Sequence, residues 1–159
     1  IYFSKWNRIV KEHKRLEKFP DNDMDYHDIK QEWLKVIFMV EEDEVDIIRN
    51  AIKNSSWADT YDYVQTSPWY YELLPKGASK GAGIQVLAEL CGINPEMTVG
   101  MGDNDNDMSV MTMCATGIAV ANAIPAIKRA ADYITVDNNS SAAAAVIHAI
   151  ENGQIKLKR

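Results

Sequence analysis

The hydrophobic pattern changes character near the middle of the chain. In residues 1–19 charged and apolar positions are mixed, and Trp6, Ile9, Val10 and Leu16 are spaced as the stripe of a surface helix that Pro20 ends. Residues 34–40, apolar but for Lys35 and with β-branched members, predict a strand. Glu41, Glu42, Asp43 and Glu44 follow, acids that complement the dipole of a helix's first turn. That helix continues through Val45, Ile47, Ile48 and Ile52 to about Asn54. Residues 61–66 alternate as a half-buried strand, Ser67-Pro68 turns, and residues 69–74 form the hairpin partner, with aromatic side chains packing across the strands. The first half is thus β-α-β-β in outline, a small α+β module.

Past Pro75-Lys76-Gly77 the texture changes, and domains at 1–74 and 75–159 are expected. Residues 80–91 predict a helix with Ile84, Leu87, Ala88 and Leu90 inward, ended by Gly92. A strand at 97–101, a helix at 105–113, a strand at 117–121, a helix at 124–131 and a strand at 133–136 come next. A small-residue helix at 142–151 closes the series. Strands and helices alternating at this pitch argue βαβ units and a parallel sheet.

The chemistry gathers where that sheet's first strand ends. Gly102 permits a sharp exit, and Asp103, Asn104, Asp105, Asn106 and Asp107 follow without interruption. In open α/β sheets ligands bind at the carboxyl ends of strands. Asp103 or Asn104 can cap the following helix. Asp103 and Asp107, four residues apart, would then lie on one face, where like charges repel unless a cation sits between them. A hard divalent ion with oxygen ligands, magnesium before calcium, fits that need. Two plainer readings compete: a solvated acidic cap, and an EF-hand loop. The latter fails because Met108 and Cys114 stand where Gly and Glu are required. A second acidic string, Asp21 to Tyr26, has similar spacing but puts Tyr26 at the glycine position, and reads as a loop.

Lys80 is oddly placed. Ser79 caps the helix that Lys80 begins, so the cation opposes the helix dipole, and Gly81 and Gly83 weaken the same turn. Free N–H groups at a helix start, glycines that let a ligand come near, and a lysine together point at phosphate. The plain alternative is a surface lysine after a linker. The Gly77-to-Gly81 string is not a P-loop.

Composition narrows the classes. The 159 residues are 47% hydrophobic and 25% charged, an ordinary globular make-up. A net charge of −6, with basic residues clustered only at 156–159, argues against a nucleic-acid surface. Cys91 and Cys114 suit a reducing cytosol rather than a disulfide framework, and no run is long enough for a membrane span.

Residues 73–81 (Leu-Leu-Pro-Lys-Gly-Ala-Ser-Lys-Gly), residues 102–108 (Gly-Asp-Asn-Asp-Asn-Asp-Met), Asn122-Ala123 and residues 128–135 together resemble the Cof-type branch of the haloacid dehalogenase superfamily. The likeness is close over 73–150 and holds in outline over 30–72, where that family carries an α/β cap. It implies a magnesium-dependent phosphatase acting on a small phosphorylated metabolite, a sugar phosphate among the candidates. Lys80 would neutralise the nucleophile and the transferring phosphoryl group. Asp103 would ligate magnesium, Asp107 would hold metal-bound water or support Asp103, and Asn106 would lie near metal and phosphate. The family's nucleophile motif, Asp-x-Asp-Gly-Thr, is absent, and Asp23-Met24-Asp25 has its spacing without a preceding strand or a Gly-Thr.

With Ile rather than Met at position 1, the expectation is a C-terminal portion only: a partial parallel-sheet core plus part of an α+β cap, inactive alone. A bare edge at 97–101 would then invite self-association or a missing N-terminal segment. The rivals are a non-catalytic phosphate- or metal-binding module and an acidic domain without a ligand.

Overall fold

The computed structural model describes residues 1–18 and 22–157. The chain divides into two compact units, Ile1–Lys76 and Gly77–Arg159.

The first unit opens with α1 (Arg8–Glu17), whose cap Asn7 accepts from the Val10 N–H. Ile9 and Val10 are buried, but Leu16 is 61% exposed, so the expected stripe is shorter than its spacing suggested. Pro20, expected to end this helix, lies outside the described residues; the helix stops at Glu17, with Lys18 in the left-handed region. In the acidic loop, Asp25 caps the short turn Tyr26–Asp28 by accepting from His27 N–H.

Next come β1 (Val36–Met39), α2 (Val45–Lys53), β2 (Tyr61–Ser67) and β3 (Tyr70–Pro75). The acids before α2 form a 3-10 turn in which Glu41 and Glu44 make a reciprocal capping box. The antiparallel sheet runs β1-β3-β2, with Phe38 opposite Tyr71 and Met39 opposite Tyr70. Neighbouring residues of a strand face opposite sides. Tyr71 accordingly meets Val45 and Ile52 of α2, while the Tyr70 hydroxyl lies 3.1 Å from His13 of α1. Asn7 Nδ2 donates to Met39 O at 2.7 Å, and Arg8 pairs with Glu41 in a two-pronged ion pair at 3.0 and 2.6 Å. Tyr63 and Tyr71 pack across the hairpin at 5.9 Å between ring centroids.

The second unit contains α3 (Lys80–Leu90), β4 (Val99–Gly102), α4 (Met108–Met113), β5 (Thr116–Ala119), α5 (Pro125–Ala130), β6 (Tyr133–Ile134) and α6 (Ala142–Glu151). Its parallel sheet runs β4-β5-β6. On one face Ile118 packs against Val146 of α6 and Ile155. On the other, Val110, Met111 and Cys114 of α4 and its end meet Ala119, Val120 and Ile127. Glycines make that second face possible. A Cβ on Gly100 would lie 2.3 Å from Val110 Cγ1, and one on Gly117 3.0 Å from the Met111 Cα. α4 therefore rests almost directly on the strand backbones.

α3 departs from its pattern. Leu87 and Leu90, expected inward, are 60% and 80% exposed, and the buried face carries Gly81 and Ala88 instead. A Cβ on Gly81 would stand 2.3 Å from the Ser109 carbonyl oxygen, whereas one on Gly83 meets nothing within 4 Å. Gly81 therefore serves the contact between helices, and of the two only Gly83 stands in open space.

The expected partial core and partial cap are corrected here. Each unit has its own three-stranded sheet and its own buried cluster, with helices packed on both faces of that sheet.

The two helical glycines predict opposite responses. Gly83→Ala should raise stability by about 0.5–1 kcal/mol by restricting the unfolded chain. Gly81→Ala should lower it by about 1–3 kcal/mol through overpacking against backbone. Urea midpoints of the two variants check the signs; equal shifts would contradict the assignment.

Candidate active site

The site begins with the end of β4. Gly102 lacks a side chain where a Cβ would stand 2.4 Å from Asp107 Cβ and 2.8 Å from its carboxylate. Its role is close approach; the exit from the strand needs no left-handed glycine, since the positive-φ glycines are Gly77, Gly92 and Gly153. Asn104 caps the 3-10 turn Asp105–Asp107, which leads into α4, and Asp107 reaches back in a capping box.

Asp107 is buried, at 5% exposure, and a buried carboxylate must be paired and hydrogen-bonded to persist ionised. It is. Lys80 Nζ donates to Oδ1 at 2.5 Å, and the N–H groups of Asp103 and Asn104 donate to Oδ2 at 2.9 and 3.4 Å. Burial alone would push its pKa up. The Lys80 ammonium, then the Asp103 N–H, outweigh that and hold the carboxyl below the ordinary aspartate range. Asp103 is shifted the other way. Burial first, then its hydrogen bond to Asp107 and the charge there, raise it above the ordinary range, and Lys80 offsets part of this. Neighbouring carboxyls whose surroundings push their pKa values apart are a mark of a working site.

Lys80 sits where the sequence suggested, at the first position of α3, with Ser79 Oγ accepting from Ala82 N–H at 3.1 Å. Its side chain is 55% exposed, so one side of the ammonium is pinned by Asp107 and the rest faces solvent. The structure thus brings Lys80, Asp103 and Asp107 together across 27 residues of chain. Asn106, the fourth expected site residue, shares the turn but takes no part in the hydrogen bonds that join those three.

Sequence reasoning missed Ser109, whose Oγ accepts from Gly81 N–H at 3.0 Å, and Gln85, whose Nε2 donates to Met113 O at 2.5 Å. Only the residue types hinted at either, a glutamine at the middle of α3 and a serine at the second position of α4. Asn122 and Asp132, parts of the quoted motifs, do structural work. Asn122 exchanges two hydrogen bonds with Asn138 at 3.1 Å, and Asp132 Oδ2 accepts from Gly117 N–H at 2.9 Å at the start of β5. A groove of about 900 Å³ lined by Met97, Ile150, Ile155 and Leu157 involves none of the site residues.

Among the described residues no group of three or more His, Cys, Asp or Glu side chains is arranged as a metal cage. Magnesium does not need one. It keeps several waters and is commonly held by one or two carboxylates, and the pair Asp103 and Asp107 matches that donor set. The raised Asp103 carboxyl is the kind of group a nearby cation would return to its ionised form. No helix among the described residues is long and apolar enough to cross a membrane.

Residues 1–147 match the family model described as haloacid dehalogenase-like hydrolase. The chain is 36% identical over 118 residues to the Streptococcus pyogenes protein named "Putative phosphatase M6_Spy0533", covering 73% of this chain and 43% of that one. It is 39% identical over 90 residues to "Putative phosphatase YxeH" of Bacillus subtilis, covering 57% and 33%. The chain therefore spans less than half the length of these curated relatives. A crystal structure of a haloacid dehalogenase-like hydrolase from Bacteroides thetaiotaomicron superposes with a TM-score of 0.74 at 25% identity, over 91% of this chain and 55% of that one.

These findings correct the reading of the chain as a C-terminal portion. The family match reaches from residue 1 through both units, where the motifs alone had carried a close likeness only from residue 73. The expectation of an inactive chain rested on that reading and falls with it, although the Asp-x-Asp-Gly-Thr string is absent from the sequence. The chain belongs to the haloacid dehalogenase-like hydrolase family.

Proposed function

We propose that the chain works as a magnesium-dependent phosphatase on a small phosphorylated metabolite, sugar phosphates among them, with Gly77–Arg159 carrying the site and Ile1–Lys76 serving as the cap. One observation carries this: an ammonium and two carboxylates gather where β4 ends, Lys80 on Asp107 at 2.5 Å and Asp103 beside them. The family match and the phosphatase names of the two curated relatives support it.

Asp103, with Asp107 beside it, would hold magnesium, which supplies neutralising charge to the phosphoryl oxygens. Lys80 has three protons to donate, and Asp107 takes one, leaving two for a phosphoryl group. Asp107 thereby orients Lys80 as well as neutralising it. Asn106 is assigned to the phosphate by its place on the turn after Asp103. Such fixed charges, aimed before the substrate arrives, supply most of the catalysis in phosphoryl transfer. The two cysteines are free, Cys91 exposed and Cys114 buried, and fit the cytoplasmic location we assign.

Phosphate release from a panel of sugar phosphates, with and without magnesium, tests this reading. Release should require magnesium, and Lys80→Met and Asp103→Asn should each lower kcat/KM by about 10²–10³-fold. Full activity in Asp103→Asn would overturn it. Magnesium and phosphate binding without turnover would favour the non-catalytic module instead.

A second reading concerns partners. Among the described residues β4 pairs only with β5, and in a parallel ladder Val99 and Met101 then turn their N–H and C=O groups outward. Met97 and Met101 beside that edge are 65% and 38% exposed. We propose self-association of two copies through this strand. Light scattering across a concentration series should show a dimer that Met101→Lys weakens; a monomer throughout would refute the idea.

A further inference from the structure

Among the described residues two hydrogen bonds join α3 to α4, and both have the same offset. Gly81 N–H donates to Ser109 Oγ at 3.0 Å, and Gln85 Nε2 donates to Met113 O at 2.5 Å. Gly81 and Gln85 are four apart, as are Ser109 and Met113, so each pair lies on one face of its helix. The two helices therefore run in matched register. The Gly81 N–H is one of the donors a helix start leaves without an internal partner. Here it is buried at the helix contact, and its partner is a side chain from the neighbouring helix rather than its own cap. The close approach depends on Gly81, since a Cβ there would reach the Ser109 carbonyl.

The site straddles this joint. Lys80 precedes Gly81, and Asp107 lies two residues before Ser109, so the hydroxyl bond sits directly beneath the ion pair. We infer that Ser109 is a positioning residue of the site: by accepting from Gly81 N–H it sets the start of α3 on the first turn of α4, and so aims the Lys80 ammonium at Asp107 and at the phosphoryl group beside it. This rests on the phosphatase reading above and deepens it for the same site. Lys80 has four rotatable side-chain bonds and a half-exposed side chain, so nothing in the side chain itself fixes where its charge points. A shift of the helix start would be enough to misplace it.

The test uses Ser109→Ala, which removes the acceptor, and Ser109→Thr, which keeps it. The first readout needs no activity: the rate of acetylation of Lys80 by limiting acetic anhydride, measured by mass spectrometry against Lys53 of the other unit. In Ser109→Ala the Lys80 rate should rise about threefold, the order of protection a partly exposed ion pair gives, and Ser109→Thr should restore it. The second readout is the kinetic split. Ser109→Ala should lower kcat about tenfold with KM changed less than about twofold, again restored by threonine. A purely structural serine would lower the urea midpoint and leave the Lys80 rate unchanged, and that result overturns the inference. If the wild type releases no phosphate, the phosphatase reading fails while the acetylation rates still decide whether Ser109 positions Lys80.

Discussion

The second unit is arranged around one buried carboxylate. Asp107 lies inside the protein as an anion, which is tolerable only because the Lys80 ammonium and the N–H groups of Asp103 and Asn104 all point at it. Those three donors come from two places: the first position of α3 and the corner leaving β4. Satisfying one carboxylate therefore ties a helix start to a strand end. The same bonds leave Asp103 as the neighbour whose ionisation is opposed, first by burial and then by Asp107. One charge is settled and the other held in reserve, the condition in which a cation or a phosphate oxygen has something to gain by arriving.

Glycine makes the arrangement possible in space. Gly102 clears room for the Asp107 side chain, Gly100 and Gly117 let α4 rest on the strands, and Gly81 lets α3 touch α4 at backbone level. Close packing of this kind transmits position with little slack. It also explains why α3 leaves Val86, Leu87 and Leu90 exposed: its contact face is the small one, Gly81 and Ala88. The first unit is held by different means. Its sheet is covered on both sides, Tyr71 toward α2 and Tyr70 toward α1, with polar bonds from Asn7 and Arg8 fastening α1 to Met39 and Glu41.

The sequence by itself determined the element order, because period and punctuation are local. The capped start at Ser79, the acids before Val45, the hairpin between residues 61 and 75 and the alternation of strands and helices after it all reappear in the structure. It also singled out Lys80, Asp103 and Asp107, since a cation at a helix start and crowded carboxylates are costly where they stand and their cost is visible residue by residue. What only the tertiary structure decided were relations between distant residues. Period could not tell that Leu87 and Leu90 face outward, because that depends on which neighbour α3 meets and how closely. Spacing could not show that Lys80 bonds Asp107 directly and only faces Asp103 through charge, nor that Gly81 answers to Ser109 rather than to a ligand. Nor could motifs concentrated after residue 73 show that the family match runs from residue 1 through both units. Local choices are written in neighbouring residues; the partner of a buried charge is chosen by packing, and packing belongs to the whole fold.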